Sequence, residues 1–155
     1  MEKIASFRVN HLNLFPGLYL SRKDYSGKTA VSTFDLRITA PNREPAMDAS
    51  AMHTIEHLGA TFLRNSKLKD DVVYFGPMGC QTGFYAVFFG DLVPENVFSL
   101  ILEMCDYIIS FEGEIPGAKP EECGNFSFQN LKKAKEYISR YKNDLIKNKR
   151  TVYPD

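Results

Sequence analysis

In the stretch VSTFDLRITAP, Val31 to Pro41, apolar and polar residues alternate. Phe34, Leu36 and Ile38 share one face and Asp35 and Arg37 the other, which predicts a half-buried strand. Past PNREPAMD the period lengthens, and a helix is expected from about Ala49 to Ser66. Asp48 or Ser50 would cap it, and Ala49, Met52, Phe62 and Leu63 are among its apolar positions. DVVYFGPMGCQTGFYAVFFG then reads as a strand, a turn rich in glycine and proline, and a second strand, with Cys80 in the turn. Pro94 suits the first position of a helix in which Val97, Leu100, Ile101, Met104 and Ile108 recur at helical spacing. The loop GEIPGAKPEECGN follows and holds Cys123. A last helix, from about Phe128 to Lys147, would bury Leu131, Ala134, Ile138, Tyr141 and Leu145 and turn its lysines outward. Strands that pair by hairpin and helices that gather afterwards predict an α+β fold, a largely antiparallel sheet with helices packed on one face.

Composition narrows the class. With no repeat and no linker-like segment, residues 1–155 are expected to form one domain, and 44% hydrophobic with 13% aromatic residues is enough to build a core. The 19 basic and 19 acidic residues cancel, so no electrostatic footprint favours nucleic acid or an anionic membrane as partner. The one basic run, Lys142 to Arg150, suits a helix C-terminus. MEKIASFRVN carries charges at Glu2, Lys3 and Arg8 and no apolar core of a leader, and no apolar run is long enough to span a bilayer. The cytoplasm is the expected compartment. Three cysteines are too few, and odd in number, for a disulfide framework.

The scarce imidazoles carry the strongest signal. AMHTIEHLGA places two of the three histidines four residues apart with a glutamate between them. On a helix His53, Glu56 and His57 project from one face, the imidazoles about 6 Å apart along the axis. Two imidazoles so spaced can grip one metal ion, and His-x-x-Glu-His is the inverted form of the zinc-protease helix motif, whose glutamate handles protons. A solvated stripe of two histidines and a glutamate is the plainer alternative. A catalytic metal site takes three protein ligands and leaves a position open. Cys123, in an irregular loop, is the best third candidate, with Glu121 and Glu122 as competing oxygen ligands. Cys80, among glycines in GPMGCQTG, is either a thiolate that works as nucleophile or general base, or a small buried hydrophobe. Cys105, inside an amphipathic helix, reads as packing. Arg37 can fix a substrate oxygen or lower the pKa of Cys80, or else pair with Asp35 on the surface. His11 and Ser6 are weak candidates taken alone.

These segments together resemble the S-ribosylhomocysteine lyase (LuxS) family of bacterial quorum sensing. The resemblance runs from about Ser6 to about Leu145 and rests on FDLR at 34–37, MHTIEH at 52–57, GPMGCQTGFY at 76–85 and EECG at 121–124. It implies a homodimer of α+β subunits with active sites at the interface. Each site would hold one divalent metal on His53, His57 and Cys123, ferrous iron natively, with zinc or cobalt able to substitute. By the same resemblance Cys80 and Glu56 are the acid/base pair, Arg37 stabilises the Cys80 thiolate, and Ser6, His11 and Arg37 meet the substrate. The implied reaction moves the carbonyl of S-ribosylhomocysteine from C1 to C2 to C3 and then eliminates homocysteine, leaving 4,5-dihydroxypentane-2,3-dione, the precursor of autoinducer-2. The chain departs from the family pattern at Asn10 and Tyr74, where aspartates are common.

Two other readings make different demands on the same residues. A metallopeptidase of the inverzincin type shares the His-x-x-Glu-His helix but expects a glutamate as third ligand and has no task for Cys80. A zinc-stabilised binding module needs a closed site, which Cys80 would have to complete.

Overall fold

The computed structural model describes residues 2, 4 and 7–154. Among the described residues there are four strands, β1 (Gly17–Ser26), β2 (Thr29–Arg37), β3 (Val72–Pro77) and β4 (Gly83–Phe89), and three helices, α1 (Ala49–Leu63), α2 (Pro94–Ser110) and α3 (Leu131–Asn148). The strands form one antiparallel sheet in the order β1-β2-β4-β3. Phe34 and Leu36 of β2, Phe84, Ala86 and Phe88 of β4 and Leu18 of β1 supply one face of the core. The helices lay Met52, Ile55, Leu58, Val97, Leu100, Ile101, Ile138 and Leu145 against it, the α+β arrangement that the pattern predicts.

β1 is the element that the alternation does not mark. Its pairing slips between Leu20 and Arg22, and a bulge there breaks the period of two on which the reading depends. β2 shows a second difference. Its polar face is buried as deeply as its apolar face: Asp35 is 1% and Arg37 3% exposed, so the pair is an interior one and not a surface ion pair. The C-terminal segment covers Asp35, and the turn between β3 and β4 covers Arg37.

α1 begins where Asp48 accepts hydrogen bonds from the N–H groups of Ser50 and Ala51, satisfying donors that the first turn leaves orphaned. It packs close to β3 because Gly59 has no side chain: a Cβ there would stand 2.4 Å from the Phe75 ring. α3 starts at Leu131 and not at Phe128, since Asn130 caps it by accepting from Lys133 N–H. Residues 111–130 therefore remain a loop that runs back past α1 and carries Cys123. Cys105 lies fully buried in the core, where desolvation pushes its thiol up to about 12. No helix among the described residues is long and apolar enough to cross a membrane.

Candidate metal and thiolate centre

α1 presents His53 and His57 toward the loop that follows α2. His53 Nδ1 lies 2.8 Å from the Phe128 carbonyl, and His57 Nδ1 lies 2.7 Å from that of Pro116. A carbonyl can only accept, so each ring carries its proton on Nδ1 and leaves the Nε2 lone pair free. The two Nε2 atoms face each other at 3.0 Å, and Cys123 Sγ lies 3.4 Å from that of His53. All three ligand atoms fall within 4.8 Å of one another, and among the described residues this is the group that could hold a metal ion. Lone pairs converging at such distances repel, and a cation shared between them removes the repulsion. One thiolate and two imidazoles form a borderline-soft set that suits zinc, cobalt or ferrous iron, so the residues fit the metal.

Outer contacts hold this set in place. Thr54, buried in α1, donates to Gln129 Oε1 at 2.7 Å and accepts from Asn130 N–H at 2.8 Å, tying the end of the loop to the helix. Gly117 turns the chain with φ of 74°, and a side chain there would press on His57 Nδ1. Backbone carbonyls that fix the tautomer of a ligating histidine are a common outer layer of metal sites. Glu121 and Glu122 are exposed and lie outside the cluster. The third member is thus a cysteine and not the glutamate that a peptidase of the inverzincin type expects.

The second part of the site stands on the sheet. Arg37 Nη2 makes a 2.6 Å ion pair with Asp35, and Arg37 Nη1 donates to Thr82 Oγ1 at 2.6 Å. The Cys80 sulfur is 3.1 Å from that hydroxyl and 3.7 Å from Arg37 Nη1. Partial burial works to raise the thiol's pKa. The Thr82 hydroxyl and backbone N–H and the Arg37 charge outweigh it, so Cys80 ends below the ordinary thiol value. Cys80 is itself exposed. It is neither a core hydrophobe nor a fourth member of the metal group, and the closed zinc module loses the ligand it requires.

A cavity of about 350 Å³ is lined by His11, Arg37, Cys80, Asp35, Tyr85 and Tyr153 together with Pro77, Met78 and Gly79. Pro77, Met78 and Gly79 also line a shallower depression beside His53 and Glu56. The Pro77–Gly79 segment thus borders both the cavity that holds Cys80 and the depression that holds His53 and Glu56. Glu56 borders the hollows beside both histidines. His11 is placed by its Nδ1 contact of 2.8 Å with the Val9 carbonyl. Ser6 lies outside the described residues. The Asn10 side chain accepts from Leu12 N–H, and Tyr74 lines a different cavity, on the sheet face away from the helices. Thr82, Thr54, Gln129 and Tyr153 are contributors that the motifs do not single out. For Thr82 a signal was present, two residues after the cysteine in the same glycine-bounded turn.

Comparison with known proteins identifies the family. The family model for S-Ribosylhomocysteinase (LuxS) matches residues 4–152. The S-ribosylhomocysteine lyase of Finegoldia magna is 55% identical over the whole of both chains, and those of Clostridium beijerinckii and Clostridium acetobutylicum are 50% and 49% identical, again over the whole of both chains. The chain belongs to the S-ribosylhomocysteinase (LuxS) family.

Proposed function

We propose that the protein is a metal-dependent lyase that converts S-ribosyl-L-homocysteine to L-homocysteine and 4,5-dihydroxypentane-2,3-dione. The observation that carries this reading is the three-ligand group of His53, His57 and Cys123, together with Cys80, a thiol of lowered pKa whose cavity shares Pro77–Gly79 with the depression beside His53 and Glu56. When bound, a divalent ion on the three ligands supplies a Lewis acid that draws charge from a sugar carbonyl. Ferrous iron is the ion we assign, and zinc or cobalt suits the same donors.

The protein's own groups move the protons. The Cys80 thiolate removes a proton from the carbon beside the carbonyl and returns it to the neighbouring carbon, so the carbonyl passes from C1 to C2 and, on repetition, to C3. Glu56 exchanges protons with the sugar oxygens during each shift. With the carbonyl at C3 the C4 proton is acidic. Its removal expels the homocysteine sulfur from C5 as thiolate, which takes up a proton on release. Arg37 keeps Cys80 ionised through Thr82, and His11 and Ser6 hold the ribose. The buried Arg37–Asp35 pair supports that role, since an immobile guanidinium is organised before the substrate arrives.

The working form is a homodimer with sites at the interface. The sheet face away from the helices supports it: Val31, Thr33, Tyr85 and Val87 surround a cavity of about 320 Å³ there, and a second copy would cover it. Free thiols at Cys80 and Cys123 fit a reducing compartment, the cytoplasm, and the dione product would feed autoinducer synthesis. The test is thiol release from S-ribosylhomocysteine by protein purified anaerobically with Fe(II), with a metal-stripped control. Metal-dependent release supports the reading, and none from folded, metal-loaded protein rejects it.

A further inference from the structure

Beyond α3 the chain turns back on itself. Lys149, left-handed at φ of 46°, ends the helix, and the Arg150 carbonyl accepts from Leu18 N–H at 3.0 Å. Arg150 also pairs with Asp144 at 2.6 Å. This brings Tyr153 over β1, where its ring stacks on Tyr19 with centroids 4.7 Å apart and planes 14° from parallel. The Tyr153 hydroxyl then donates to Asp35 Oδ2 at 2.9 Å, the same oxygen that Arg37 Nη2 grips at 2.6 Å. Residues 118 apart in sequence thus share one buried carboxylate.

We propose that Tyr153 is a positioning residue, its phenol holding Asp35 so that Asp35 orients Arg37 toward Thr82 and the Cys80 sulfur. The carboxylate cannot be satisfied otherwise. Its other oxygen, Oδ1, is buried without a partner among the described residues, so Oδ2 carries all of its hydrogen bonding. A second donor on Oδ2 draws off part of the negative charge that would otherwise neutralise Arg37. More of the guanidinium's field is then left for Thr82 and the sulfur, and the pair loses freedom to swing. The ring stack on Tyr19 and the Arg150 contacts do not involve the hydroxyl, so the tail stays docked when only that oxygen is removed.

This inference rests on Cys80 as proton carrier, and the test separates the two claims. Tyr153→Phe and the unaltered protein, both metal-loaded, are alkylated with iodoacetamide across a pH series, and the Cys80 peptide is quantified by mass spectrometry apart from those of Cys105 and Cys123. The ionisable groups sharing the cavity with Cys80 are Arg37, Asp35, His11, Tyr85 and Tyr153, and the substitution leaves the first four in place. The expected result is a midpoint about half a unit higher, as the loss of one hydrogen bond implies, with kcat about threefold lower near neutral pH, KM unchanged and the melting temperature nearly so. An unmoved Cys80 midpoint overturns the inference, whatever turnover does. A raised midpoint with unchanged turnover upholds Tyr153 as the positioning residue and removes Cys80 from the proposed proton transfers.

Discussion

The candidate metal group and the Cys80 cavity are built in opposite ways. The first is local. One helix spaces His53 and His57, and a loop that folds back on the same helix brings Cys123 and the carbonyls of Pro116 and Phe128. The second is assembled from β2, the β3–β4 turn and the end of the chain, and its charges are interior: Asp35 and Arg37 are almost wholly buried. The difference is one of chemistry. A ligand set must stay half open to accept an ion and a substrate, so its order comes from hydrogen bonds to backbone. A positioned guanidinium must be kept from water, so its order comes from burial beside an opposite charge, and removing one partner of such a pair costs about 3–5 kcal/mol.

Single substitutions can pull the two regions apart. The largest contrast is between two cysteines. Cys123→Ala is expected to lose both bound metal and turnover. Cys80→Ala is expected to keep its metal, measured by elemental analysis, while homocysteine release falls about a thousandfold. Equal metal loss in both would merge regions that we describe as separate. Next comes Glu56→Gln, which keeps size and metal but cannot carry a proton. It is expected to bind substrate and stall before homocysteine release, about a hundredfold slower in single-turnover mixing. Wild-type release would take Glu56 out of the chemistry.

A smaller effect concerns pH. Cys80 must be ionised to act, so turnover falls as pH drops through its lowered pKa. Arg37→Met withdraws the charge that acts beside the Thr82 hydrogen bonds in lowering it, and the acid limb of kcat/KM is expected to move to higher pH, toward the ordinary thiol value of about 8.5. A limb that stays put would assign it to another group. The smallest change expected in turnover at saturating metal is that of Thr54→Val, which unpairs Asn130 N–H and Gln129. Metal affinity, followed by chelator competition, should weaken about tenfold, and the metal-free protein should unfold about 1–3 kcal/mol more easily. Unchanged affinity would show that the loop end does not steady His53.

Sequence alone made the metal half readable because its signal repeats within one helical turn: His53, Glu56 and His57 are forced to one face by geometry alone. Cys123 was reachable by its odd setting in a loop, and Cys80 by its glycine-bounded turn. The partners of Cys80 could be suspected but not located. Asp35 and Arg37 alternate as exposed polar residues would, and only pairing across strands and the returning tail bury them. β1 was hidden by its bulge, and Tyr153, at a distance that no local period spans, carried no signal. Three-dimensional closure decides such contacts, and local pattern does not record it.

The lowered pKa of Cys80 has a cost in durability. An exposed thiol of lowered pKa is a target for peroxides, which oxidise it through sulfenic acid to forms that no thiol restores. Cys105, sealed in the core, escapes. If Cys80 carries the protons as proposed, oxidation at that exposed sulfur would remove turnover while leaving the fold intact, and an assay that ignores it would count dead molecules as slow ones.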